Sequence, residues 1–156
     1  MSKTQYQNVL AAIDGSKATN PVLQEAIKSA LHNEAHLDLL TIEQVGQLSD
    51  GYSATSAVTN DQTYGMVETT KERLEDLKKV AEDAGVKDVS IHIRFGNPKR
   101  VIAHDFPKDH QTDLIVIGTT GLSRVERFVL GSVTNYVNRN APCDVLVVRT
   151  ENQREK

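Results

Sequence analysis

Short apolar segments alternate along this chain with longer stretches of helical periodicity, and that alternation constrains the fold more than any other feature. Compact apolar runs bounded by turn residues read as strands at Asn8–Ile13, Leu37–Ile42, Val89–Arg94, Asp113–Ile117 and Val145–Arg149. Between them Val22, Leu23, Ala26, Ile27, Ala30 and Leu31 form one helical stripe. Val67, Leu74, Leu77, Ala81 and Ala84 form a second. A third helix opens at Asn97-Pro98 and carries Val101, Ile102 and Phe106; a fourth runs from Ser132 to Asn140 and stops before Pro142. Strand and helix in strict alternation imply a parallel sheet with helices on both faces. The unbroken run Leu114-Ile115-Val116-Ile117 fits a strand buried on both sides.

At 156 residues the chain can bury one core. It reads as a single α/β domain over 1–150 followed by a polar tail, 151–156. Local signals refine the boundaries. Asn20 and Pro21 suit the cap and first position of the first helix, and Gly85 suits the residue just past the second. Pro107 is expected to end or kink the third helix early. Residues 43–61, rich in Ser, Thr, Gly and Asn, read as a long loop. The last strand, Val145-Leu146-Val147-Val148, lies where it could form a sheet edge, and an apolar edge invites pairing with a second copy across a two-fold axis. A homodimer through these residues is the expectation.

Composition excludes several classes. A net charge of −3 with scattered Lys and Arg gives no basic footprint for nucleic acid. Aromatic residues make up only 4%, too few for a single-strand stacking platform. No apolar run approaches the roughly 20 residues of a membrane-spanning helix, and MSKTQYQNVL lacks a secretory core. A cytoplasmic protein is expected. Cys143 is alone, so it can form no internal disulfide and reads as a packing residue. Of His32, His36, His92, His104 and His110, only His32 and His36 are spaced to share a helix face, and the first helix is expected to end between them, so no metal ligand set is assigned. The charged run from Lys71 to Lys79 reads as a solvated helix face.

Ligands of open parallel sheets bind beyond the carboxyl ends of strands, where the winding reverses. The first strand is followed by Asp14-Gly15-Ser16; the fourth by Gly118-Thr119-Thr120-Gly121 and, nine residues later, Gly131-Ser132. Glycines let the backbone turn tightly and approach an anion. Gly131 does so at a helix start, where N–H groups and the positive dipole end favour negative charge. Ser132 and Thr134 add hydroxyls, and Arg124 could neutralise phosphate charge. Asp14 suits the donors of a ribose or base.

The pattern Gly118, Gly121, Gly131, Ser132 resembles the nucleotide loop of ATP-binding universal stress proteins. NVLAAIDGS, GNP at 96–98, DLIVIGTTG and LGSVTNYVNRNAPCDVLVV extend the resemblance over nearly the whole chain. It implies a five-stranded open sheet in the order 3-2-1-4-5, of the adenine nucleotide alpha hydrolase-like, Rossmann-like kind. It further implies that Asp14 meets the ribose or adenine and that Ile42 holds the adenine. Gly118, Gly121, Gly131, Ser132 and Val133 would form the phosphate cradle, and Ala12, Ile13, Ile117 and Thr134 complete the expected nucleotide-binding residues. ATP, with Mg²⁺ or another divalent cation on its phosphates, is the implied ligand, and dimerisation through the last strand the implied assembly. The implied role is regulatory, in stress response. The alternative is a weak ATPase or autophosphorylating enzyme using the same site. Against it, no Gly-Lys-Ser/Thr follows a strand and no motif places a catalytic base. A dinucleotide oxidoreductase lacks its Gly-x-Gly-x-x-Gly, and a ligand-free structural adaptor stands as a fourth reading.

Overall fold

A computed structural model describes residues 5–44, 60–119 and 130–149. The elements follow in the order β1 (Asn8–Ala12), α1 (Thr19–Asn33), β2 (His36–Glu43), α2 (Asn60–Asp83) and β3 (Val89–Phe95). Next comes a helical stretch made of α3 (Pro98–Arg100), a π-helical turn (Val101–Asp105) and α4 (Phe106–His110). The chain continues through β4 (Leu114–Gly118), α5 (Ser132–Asn140) and β5 (Asp144–Val148). All five strands pair in parallel, in the order β3-β2-β1-β4-β5. Both the architecture and the strand order expected from the sequence are present.

Alternation along the strands divides the core into two layers. Val9, Ala11, Ile13, Leu37, Leu39, Leu114 and Val116 face α1 and α2, meeting Val22, Leu23, Ala26, Ile27, Leu74 and Ala81. Leu10, Leu40, Ile115 and Ile117 face the other way, against Val101, Ile102, Ala103, Phe106 and Val137. The helices that follow β1 and β2 thus cover one face, and those that follow β3 and β4 cover the other.

Several boundaries differ from the sequence reading. Helix α1 starts at Thr19 with Ala18 as its cap, so Asn20 is not the cap. Pro21 falls instead on the third helical residue, still in the first turn, where no intrahelical N–H bond is lost. The second strand runs on through Glu43 and α2 begins at Asn60, which shortens the expected loop at both ends; residues 45–59 lie outside the described residues. Residues 151–156, the expected tail, also lie outside them. Pro107 does not end its helix. The Phe106 N–H reaches back five residues to the Val101 carbonyl, and this widened turn admits the proline ring, so helical backbone continues to His110. The expected Gly85 stop holds: Gly85 has φ +114°, its N–H bonds Glu82 O at 3.0 Å, and Val86 N–H bonds Ala81 O at 3.1 Å. Likewise Asn97 caps α3, accepting the Lys99 N–H at 2.9 Å, with Pro98 at the first position.

Candidate functional site

The winding reverses between β1 and β4, which pair from Val9–Leu114 to Ala11–Val116, so their carboxyl ends lie side by side. On the β1 side, Ile13 is buried and both its main-chain groups are engaged with β2. Its N–H bonds Leu40 O at 2.8 Å, and its carbonyl accepts the Thr41 hydroxyl at 2.7 Å. Its part is therefore to fix where Asp14 leaves the sheet. Asp14 is exposed, and one carboxylate oxygen accepts the Ser16 N–H at 2.9 Å. Ser16 Oγ in turn accepts the Ala18 N–H at 3.1 Å, and Gly15 adopts φ +80° between them. A left-handed turn of this kind favours glycine.

On the β4 side, Thr119 N–H bonds Val148 O at 2.9 Å and Gly131 N–H bonds Thr119 O at 2.8 Å. The backbone after β4 and the backbone before α5 are thereby joined. Gly131 caps α5 with φ −62° and ψ 160°, which any residue can adopt. What glycine offers here is a bare backbone beside the helix entrance, where the first-turn N–H groups have no partner within the helix. Ser132 is exposed at that entrance. Thr134 is buried, and its hydroxyl donates to the Gly118 carbonyl at 2.5 Å. It therefore pins α5 to the end of β4 and does not offer its proton to a ligand, as the sequence reading had it. Gly121 and Arg124 lie outside the described residues.

Four expected site residues share one layer of the core. Ile117 is buried within it, and Ala12, Ile42 and Val133 pack against it half-buried. They form an apolar floor reaching the carboxyl ends of β1, β2 and β4 and the first turn of α5. Ile13 is not part of it, because its side chain belongs to the opposite layer.

Two features escaped the sequence reading. Arg73 of α2, read as part of a solvated face, is exposed as expected but reaches the β1 turn: a methyl group added at Gly15 would sit 3.0 Å from Arg73 Nη1. The second corrects the reading of the histidines. Asp38, buried on β2, accepts a hydrogen bond from His36 Nε2 and another from His92 Nε2, each at 2.7 Å, and His110 of α4 stands edge-on to His92. Burial alone would raise the Asp38 pKa, but the hydrogen bonds from His92 and His36 outweigh it and hold the carboxyl below its ordinary value. A carboxylate interrupting an apolar strand is the one signal that could have pointed to this cluster.

The universal stress protein family profile matches residues 5–149 of this chain. A Staphylococcus epidermidis protein that carries the family's name is 39% identical over 150 residues, covering 96% of this chain and 88% of that protein. A Staphylococcus aureus counterpart is 40% identical over 146 residues, with 94% and 86% covered. Among solved structures, the universal stress protein UspA from Lactobacillus plantarum superposes with a TM-score of 0.80 at 28% identity, covering 96% of this chain and 100% of that one. A universal stress protein crystallised in complex with cAMP gives 0.67 at 27% identity, with 94% and 98% covered.

Proposed function

The chain belongs to the universal stress protein family, and on that premise we propose that it binds an adenine nucleotide, foremost ATP, beyond the ends of β1 and β4. The observation that carries this reading is the bond between Gly131 N–H and Thr119 O. It sets a glycine-capped helix entrance beside the end of β4, the strand that pairs with β1, which leads into Asp14. Helix entrances of this kind favour phosphate. The half-buried floor of Ala12, Ile42 and Val133 suits the apolar face of adenine, and Asp14 suits the ribose hydroxyls. Arg73, beside Gly15, adds positive charge on the β1 side. The similar protein crystallised with cAMP supports an adenine ligand. A divalent cation would ride on the phosphate oxygens and supply charge neutralisation there; no described residue is assigned to it. The role is regulatory, in stress response, and the protein acts as a homodimer in the cytoplasm.

Calorimetric titration with ATP, ADP, AMP and cAMP tests the site, alongside Gly131→Val. The Gly131 backbone angles accommodate valine, so the variant should fold, while its branched side chain stands where phosphate oxygens need to approach. ATP affinity is expected to fall by at least about tenfold, or ~1.4 kcal/mol, with an unchanged circular dichroism spectrum. A folded variant binding ATP as tightly as the parent overturns the assignment, as does a parent protein that ignores all four nucleotides.

A further inference from the structure

The Asp38 cluster lies on the flank of the sheet away from the β1–β4 junction. Its members come from three elements far apart in sequence, β2, β3 and α4. Strand register places His36, Asp38 and Leu40 on one face of β2, with His92 of β3 directly opposite Leu40. His110 is brought over that face by α4, its ring stacked on the buried Phe106 at 4.1 Å between centroids. One ligand atom each from Asp38, His92 and His110 lies within 4.8 Å of the others. We propose that Asp38, His92 and His110 form a binding site for a first-row divalent transition metal, Zn²⁺ foremost.

The donor set fits that class of ion. Imidazole with carboxylate suits zinc and its neighbours better than Mg²⁺ or Ca²⁺, which prefer all-oxygen shells. Zinc–ligand bonds of about 2.0–2.1 Å place ligand atoms roughly 3.3 Å apart in a tetrahedron. The widest separation, up to 4.8 Å, must therefore close by at most ~1.5 Å, while Asp38 and His92, now 2.7 Å apart, must open slightly. Side-chain rotation can supply that, because His92 and His110 are only partly buried. The nitrogens of His110 make no hydrogen bond among the described residues, where its contacts are ring contacts with Phe106 and His92. A lone pair there can reach an ion without breaking a bond. His92 Nε2, which now gives its proton to Asp38, would pass that proton to Nδ1 or to solvent on binding metal. A carboxylate has about four acceptor positions, so Asp38 can keep its bond from His36 while a metal takes another.

The surroundings are prepared for a cation. His36 Nδ1 lies 2.8 Å from Asp88 and its Nε2 2.7 Å from Asp38, so both nitrogens face carboxylates and the ring holds Asp38 in place. The ligating carboxylate is thus itself hydrogen-bonded, as the outer shell of a metal site requires. The Arg94 guanidinium is paired with Asp109 at 3.0 Å and lies over the Phe106 ring, which limits its repulsion of an incoming ion. The open coordination positions would be filled by water, since three protein ligands converge among the described residues.

The full chain, freed of nucleotide, is titrated with Co²⁺ and then Zn²⁺ near neutral pH, with stoichiometry from equilibrium dialysis. One metal per chain is expected, with the visible bands of low-coordinate Co²⁺ lost as Zn²⁺ displaces it. His110→Gln leaves the strands untouched and is expected to weaken Zn²⁺ binding about 100-fold, and His92→Gln at least as much. Circular dichroism confirms that both fold. The proposal fails if the parent takes up no Zn²⁺ at micromolar free metal. It fails equally if folded His110→Gln and His92→Gln bind Zn²⁺ like the parent, since the metal then sits on other residues.

Discussion

Cys143 shows how neighbours set the chemistry of one side chain. Burial pushes its thiol up to about 11, and the carboxylates of Asp113 and Asp144 add to the effect. The thiolate is the reactive form, so near neutral pH its population falls on the order of 100-fold below that of an open cysteine. Iodoacetamide is expected to label the native protein about 100-fold more slowly than the urea-unfolded chain; equal rates would contradict this environment. Thr134 and Ser132 give a related lesson. Their hydroxyls are equivalent in the sequence, yet two helical positions separate an exposed group from one bonded to Gly118. Spacing can place a hydroxyl near a phosphate site, but the partner it takes depends on which neighbouring carbonyl the fold supplies.

Helix ends were legible where a residue type announces its conformation and illegible where it does not. Gly85 marked the end of α2 because glycine favours the left-handed region that the stop requires. Helix α1 ends the same way at Glu34, with φ 52°, its N–H on Leu31 O and the Ala35 N–H on Ala30 O. Nothing about a glutamate advertises that stop. Left-handed geometry costs a non-glycine residue about 1–2 kcal/mol, part of which glycine recovers against its greater freedom when unfolded. Glu34→Gly is therefore expected to stabilise the protein by ~0.5–1 kcal/mol in urea denaturation; a destabilised variant would show that Glu34 makes a compensating contact. The helix around Pro107 was misjudged for a different reason. A proline forbids an ordinary helical bond, but a five-residue hydrogen bond from Phe106 to Val101 lets the backbone pass it.

For the molecule as a whole, the alternation of elements sufficed for a parallel sheet with helices on both faces, while the strand order came from the family resemblance. The Asp38 cluster was not legible, since residues 38, 92 and 110 meet only once register and helix docking are set. Strand β5 does occupy the edge, pairing on one side with β4, and Leu146 is 36% exposed along it. A second copy could extend this edge into a continuous ten-stranded sheet, roughly the upper size of open sheets. If the proposed dimer forms through this edge, Leu146→Lys, a charge of the kind that blunts such edges, is expected to yield monomers by light scattering at concentrations where the parent gives a dimer mass. A dimeric variant, or a monomeric parent, excludes that assembly. One further consequence follows from the clasp between Thr119 and Gly131. Both stems of the segment 120–129 are held by the framework itself, so its contents can be lengthened, shortened or rewritten by evolution while its doorway stays the same width. Relatives could thus exchange one intervening sequence for another like a cassette without rebuilding the two stems.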